Sequence, residues 1–468
     1  MSAREEFSSR FGFILVSVAC AVGLGNIWLL PYRVAVFGGG AYLLLFVIFV
    51  FLFSLPCLMA EFALGRGSGQ SIITAHKAVQ PKSNKWQFHG WMGLAGNYLL
   101  VMFYSVVVGF TLNYMFKAIS GQIVGMTAET AISSFSRLVS SPAATLGWTW
   151  AVVILSITIC FFGVQKGIER FGKTMMIIFF FLIIVLVIRG LTLPGAMAGV
   201  VWMFVPRMGE AITNHGLDRL LHMAMGQAFF SLSVGMGGMT IFASYIRKKN
   251  TIGSEAVPVS VIDVSVSLVC LLMIFPAAFA QGITEPTAGS GLLFVVMPGV
   301  LNAMPGGIYF WSVLFYVSVF FLAVTTLFSI TECVIAMGMD KFGWTRKKSV
   351  FINLCLLMVL IIPGALSQSF GTAANIWNHI RILGMPFGAF WTFLVTENIM
   401  PIGAIVYAIF CSYKFGWGWD NFLAEVNTGN GWKLPRSMRF WFAYVIPIAG
   451  LFVYFFGLFV RFIRPLLG

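Results

Sequence analysis

The chain has 468 residues, 59% hydrophobic, 16% aromatic and only 9% charged, with 29 Lys and Arg against 15 Asp and Glu. Soluble domains are about a quarter charged, so this composition cannot cover a water-facing surface. It excludes a soluble enzyme, a disordered chain and a disulfide scaffold, and leaves an all-α integral membrane protein in a lipid bilayer.

Residues 1–10 mix acids with bases and lead into a long apolar segment, which reads as a retained first helix. Eleven segments reach spanning length, at about 11–33, 41–66, 90–118, 147–163, 171–191, 221–246, 257–283, 309–339, 349–367, 385–412 and 438–463. None alternates apolar and polar residues as a barrel strand would. With the N-terminus inside, twenty basic residues fall on inner segments, among them Arg247, Lys248, Lys249, Arg346, Lys347 and Lys348. Eight fall on outer segments, and Arg33 lies at the outer end of span one. That asymmetry predicts a multi-pass protein of the cell membrane, N-terminus cytoplasmic and C-terminus extracytoplasmic. The positive charge is then a topology signal, and no nucleic-acid partner is expected.

Glycine interrupts two spans near their middles. In span one the run is Ala19, Cys20, Ala21, Val22, Gly23, Leu24, Gly25, Asn26; in span six it is Phe230, Ser231, Leu232, Ser233, Val234, Gly235, Met236, Gly237, Gly238. Each glycine costs a helix interior about 1 kcal/mol relative to Ala. Close helix packing is one reason to accept that cost. Two clusters, each opening a five-span half, are better explained by unwound segments. The halves run at about 10–191 and 219–412 within a single transmembrane domain, with an extra helix at about 438–463. Unwinding frees N–H and C=O groups, which in a membrane must line a protein cavity. Half-helix N-termini there favour a carboxylate and free carbonyls a cation. The seven cysteines stand singly in apolar runs, as small buried hydrophobes.

The stretch from Ala21 to Trp28, followed by Pro31, Tyr32 and Gly38 to Gly40, resembles the first-helix signature of the neurotransmitter:sodium symporter family, in its bacterial amino-acid-transporting branch. Glu61 with Gly65 and Arg66, and Gly226 to Ser233 followed by Ala243, Ser244 and Tyr245, resemble its second and sixth helices. The resemblance covers about residues 4–412. It implies the LeuT-type fold, a 5+5 inverted repeat with broken first and sixth helices, and sodium-coupled amino-acid uptake by alternating access without an organic cofactor.

The resemblance also implies a site. The substrate carboxylate would meet the backbone at Gly23, Leu24 and Gly25 and the hydroxyl of Tyr104. Its ammonium group would meet carbonyls near Cys20 and Ala21 together with Phe230, Ser231 and Ser233. Leu100, Phe230, Met236 and Ile330 would form walls suited to an apolar or aromatic side chain, with Thr326 alongside. One sodium ion maps to Ala21, Asn26, Ser231 and Asp263, a second to Ala19, Val22, Leu322, Thr325 and Thr326. Asp263 lies well inside span seven, where a carboxylate is expensive and functional by default. Chloride-dependent relatives have a neutral amide there, so its fixed charge implies chloride-independent transport. An inner gate maps to Arg4, Ser244, Tyr245 and Asp340.

Two features depart from the family pattern. The outer-gate arginine is replaced by Leu29, and its acidic partner is missing near Phe390 to Phe393; Arg33 follows one turn after Leu29. In span five Gly167 is followed by Ile177 where proline is usual. Glu61, Glu332 and Glu397 read as structural network residues. The five histidines share no spacing and are expected in loops or interfaces. A sodium-independent permease of the same fold and a channel are the remaining alternatives, and the spans show no nucleophile–base pairing for an enzyme.

Overall fold

The computed structural model describes residues 5–283, 291–367 and 380–463. Among these, nine helices are long and apolar enough to cross a membrane, and a bent pair makes a tenth. The bent pair is α1 (Arg10–Ala21) and α2 (Gly25–Val36), which meet at 50°. There follow α3 (Gly40–Ser68), a short α4 (Ile72–Val79), α5 (Gln87–Ile119), α6 (Pro142–Phe161) and α7 (Val164–Leu191). The sixth expected span forms two pieces, α8 (Leu217–Ser231) and α9 (Gly238–Ala243), separated by residues 232–237. The second half continues through α10 (Ile252–Ala280), the shorter α11 (Leu292–Asn302), α12 (Ile308–Phe342), α13 (Arg346–Ser367) and α14 (Phe387–Ser412). A connecting α15 (Trp419–Val426) precedes α16 (Met438–Ile463). Short helices at Ala128–Ser140, Ala196–Phe204 and Met208–His215 cap the connections, and Arg381–Ile382 pairs antiparallel with Met385–Pro386.

Every expected span thus falls on a helix or a broken helix, usually longer by a few residues. The fourth starts at Pro142 rather than 147 because Ser141 caps Ala144 and proline suits the first turn. A hydropathy window misses such polar first turns. In α10, Pro258 and Pro276 sit inside the helix, as membrane helices allow.

The 35-residue α12 is the central post, packed against α1, α5, α6, α7 and α13. The two broken helices lie beside it: α1 packs on α10 and α12, and α9 on α3 and α12. Helix α16 packs on α8 and α14, with much of its apolar surface facing outward. Wider π-type turns replace α-turns at Gly25–Leu29 and Leu394–Ile399. Such turns cost regularity and concentrate near functional paths.

Candidate substrate and ion site

The first break begins where Val22 becomes extended (ψ 115°). Gly23 then donates its N–H to Asn26 Oδ1 (3.0 Å), and Asn26 donates its N–H to the Gly23 carbonyl (3.0 Å). Those two donors would otherwise have served the carbonyls of Ala19 and Val22. Both carbonyls instead surround Thr326 Oγ1, at 3.0 and 2.8 Å, with the Leu322 carbonyl at 3.3 Å. Thr325 Oγ1 donates to the same Leu322 carbonyl at 2.9 Å. A hydroxyl has one hydrogen, so three oxygens converge on a donor that can satisfy one of them. A sodium ion would satisfy this surplus, and all five residues expected at the second ion site are present.

Of the residues expected at the first ion site, Asn26, Ser231 and Asp263 come together from three elements. Asn26 Nδ2 faces Asp263 Oδ1 (3.0 Å), Ser231 Oγ (3.2 Å) and Ser267 Oγ (2.8 Å), and Ser231 Oγ donates to Asp263 Oδ2 (2.6 Å). Asp263 is fully buried. Among the described residues no Lys or Arg forms a salt bridge with it. A buried carboxylate held only by neutral donors is costly unless a cation joins it. Ser267 was not anticipated, although it stands one helical turn beyond Asp263 on α10.

Between the two clusters lies a narrow cavity lined by Ala21, Gly23, Leu24, Gly25, Asn26, Leu100, Tyr104, Phe230, Ser233, Thr326, Ile330 and Met400. Tyr104 accepts a hydrogen bond from the Leu24 N–H (3.3 Å), so it touches the unwound backbone as expected. Ser233 Oγ donates to the Cys20 carbonyl (2.9 Å) and joins the two breaks. Cys20 and Ser231 therefore serve behind the cavity rather than in its lining. Met236 also differs from expectation. Its side chain lies against Gly96 and its carbonyl accepts from Asn97 Nδ2 (2.9 Å), whereas Met400 of α14 takes the wall position. The reason lies in the path of the segment that carries it, which includes positive φ at Ser233, Gly235 and Gly237. Gly25 is the floor: a Cβ there would come within 2.5 Å of the Phe230 ring.

The second break is held from outside. Glu61 accepts from the N–H groups of Gly235 and Thr240, so its carboxylate caps the start of α9. His89 Nε2 meets the Gly235 carbonyl at 3.3 Å, and His89 Nδ1 meets His76 Nε2 at 3.2 Å. The histidines share no spacing and were expected in loops or interfaces; the fold pairs two of them, 13 residues apart, from helices α4 and α5.

At the end of the bundle expected to face the cytoplasm, Arg4 lies outside the described residues. Asp340 accepts from the Ser71 N–H at 2.6 Å, and Ser244 Oγ donates to the Ile241 carbonyl. Tyr245 Oη donates to Glu332 Oε1 (3.0 Å), and Arg346 grips both oxygens of Glu332 at 2.6 and 2.9 Å. The N-terminal strap is tied down as well: Ser8 donates N–H and Oγ to Glu169, Arg10 pairs with Glu255, and Arg247 pairs with Glu6. At the opposite end, Arg33 donates to Gln227 Oε1 (2.9 Å) and to the Met223 carbonyl (3.3 Å). Glu397 is bound by Arg461 at 2.7 Å.

The sequence matches the Sodium:neurotransmitter symporter family over residues 4–134 and 141–465. The chain belongs to this family. It is 34% identical over 451 residues to YhdH, a sodium-dependent transporter of Bacillus subtilis (strain 168), covering 96% of each protein. A sodium-dependent transporter of Haemophilus influenzae is 29% identical over 97% of the chain and 98% of its own length. Among solved structures, MhsT in complex with L-phenylalanine superposes with a TM-score of 0.87 at 32% identity, covering 97% of this chain and all of that one. The protein is accordingly a multi-pass, all-α membrane transporter of the sodium symporter family, with the LeuT-type fold.

Proposed function

We propose that this protein imports an amino acid with an apolar or aromatic side chain, driven by sodium and independent of chloride. The N-terminus is then cytoplasmic, and the Arg33 end of the bundle faces outward. The observation that carries the reading is the surplus of oxygen atoms on both sides of one narrow cavity at the helix breaks. Backbone N–H groups at Leu24 and Gly25 beside Tyr104 suit a carboxylate. The Ala21 carbonyl and the Ser233 hydroxyl in the cavity wall suit an ammonium group. Leu100, Ile330, Met400 and Phe230 leave an apolar volume for the side chain, and a flexible methionine adapts to more than one shape. The phenylalanine bound to MhsT supports the same substrate class.

Asp263 supports chloride independence, because it supplies the negative charge beside the first ion cluster permanently. Retention of Asn26, Asp263, Thr325 and Thr326 disfavours the sodium-independent permease.

The test is uptake of each of the twenty amino acids into proteoliposomes, with an inward sodium or potassium gradient. Concentrative uptake of phenylalanine, leucine or a similar residue with sodium alone is expected, unchanged when gluconate replaces chloride. Equal uptake in potassium would overturn sodium coupling, and collapse in gluconate would overturn chloride independence. Tyr104→Phe should raise the substrate KM about tenfold through one lost hydrogen bond to charge, with little change in sodium dependence.

A further inference from the structure

Outward from the substrate cavity, the path passes the Phe230 ring into a small chamber and then into a wider cavity of about 550 Å³. Arg33, Glu397 and His222 line both of these outer spaces. Two arginines of opposite provenance stand here. Arg33 belongs to α2, beyond the first break, and its guanidinium is held by a neutral amide and a carbonyl. Arg461 belongs to α16, outside both five-span halves, and it holds Glu397 at 2.7 Å.

Helix α16 is itself anchored on both neighbours. His222 Nδ1 meets the Val453 carbonyl at 3.1 Å, and Tyr454 Oη meets Asn398 Oδ1 at 2.9 Å. A Cβ at Gly457 would strike the His222 ring at 2.2 Å, so only glycine admits that contact. Glu397 lies in the π-type turn of α14, which places its carboxylate on the side of the path. Glu397 is held now by Arg461, with His222 Nε2 at 4.0 Å, and Arg33 lines the same space, as do Asp218 and Arg219 in the wider cavity.

We propose that Glu397 is a two-position acceptor: paired with Arg461 while the outer path is open, and with Arg33 when it closes. Collapse of the wide cavity draws α2 toward α14, and Arg33 exchanges its neutral partners for the carboxylate. Arg461 is then a positioning residue that holds Glu397 back, and α16 takes part in the cycle although it lies outside the repeats. The proposal rests on the outward orientation and transport reading above, but its readout is accessibility rather than uptake, so the two fail separately.

The experiment uses Leu29→Cys, at the wall shared by both outer spaces, in a Cys355→Ser background. Labelling by a membrane-impermeant maleimide is followed in sodium without substrate. Arg461→Gln frees Glu397 for Arg33 and should slow labelling about three- to fivefold, the scale of one partly exposed ion pair. Glu397→Gln removes the closing pair and should speed labelling or leave it fast. The double variant should behave as Glu397→Gln, and Arg461→Lys should restore the unsubstituted rate. If Arg461→Gln labels at the unsubstituted rate or faster, or remains slow when Glu397→Gln is added, the exchange does not occur.

Discussion

Asn26 turns its amide nitrogen, not its oxygen, toward Asp263, with Nδ2 at 3.0 Å from Oδ1. Its oxygen is engaged by the Gly23 N–H within the break. A sodium ion beside Asp263 would need the amide to present oxygen instead, which releases that N–H. Under the proposed function, ion binding and the backbone conformation at Gly23 are coupled, and the substrate carboxylate would sit beside the N–H set free.

Asp263→Asn removes the fixed charge while keeping two polar atoms for Asn26 and Ser231. Sodium-driven uptake in gluconate should fall at least tenfold, since a buried carboxylate at a cation is worth more than about 1.4 kcal/mol. Chloride should recover part of the loss by supplying an anion. Uptake of the variant that stays high in gluconate would show that the charge lies elsewhere.

Thr326→Val preserves shape and deletes the hydroxyl around which Ala19, Val22 and Leu322 gather. Half-saturation by sodium should rise about tenfold, as expected for one lost ligand or hydrogen bond, while the fold survives. A scintillation proximity assay with labelled substrate across a sodium titration separates this from lost substrate contact. Unchanged sodium dependence would remove Thr326 from the ion site.

How far the sequence reached follows from where the signals lie. Broken helices were legible because Gly23, Gly25, Gly235 and Gly237 stand where a helix should be continuous, and Asp263 because a carboxylate inside an apolar run has few structural excuses. Contacts made through tertiary distance were not. Met400 lines the cavity from α14 while Met236 lies elsewhere, in a segment whose path includes positive φ at Ser233, Gly235 and Gly237. His76 and His89 lie on different helices, and Glu397 and Arg461 are 64 residues apart. Ser267 was within reach, since the spacing i to i+4 from Asp263 puts both on one helix face.

Arg66 carries the main stability prediction. Its Nε pairs with Glu425 Oε1 at 2.7 Å, its Nη2 also reaches the Glu425 carbonyl, and Nη1 reaches the Asn250 carbonyl at 2.6 Å. Both side chains are nearly buried, at 1% and 9% exposure. Glu425 also holds Lys248 at 2.7 Å, and removing its carboxylate leaves the buried Arg66 charge on backbone carbonyls alone, a loss of about 3–5 kcal/mol. Glu425→Ala should therefore lower the melting temperature in detergent strongly. Arg66→Met with Glu425→Met, which removes both charges, should recover much of it.

The histidine pair yields a pH prediction from counting protons. Three contacts run in series, from Gly235 O to His89 Nε2 (3.3 Å), His89 Nδ1 to His76 Nε2 (3.2 Å), and His76 Nδ1 to Ile72 O (3.3 Å). Each carbonyl needs an N–H donor and the middle contact needs one more, yet two neutral imidazoles supply two. The third proton comes only with charge, and burial pushes His76 from its ordinary 6.5 down to about 4. Phe410 and Tyr407 pack on the pair, and Glu61 lies beyond Gly235. The lowered value means that the closed packing of α4 is favoured above about pH 6.5. That advantage is lost progressively as pH falls toward 4, by at most tenfold per pH unit for one proton. Hydrogen exchange of α4 should therefore accelerate in the protein relative to His76→Phe between pH 6.5 and 5, a ratio that cancels the intrinsic pH dependence of exchange. A ratio that stays flat across that range would mean that the pair remains neutral and closed.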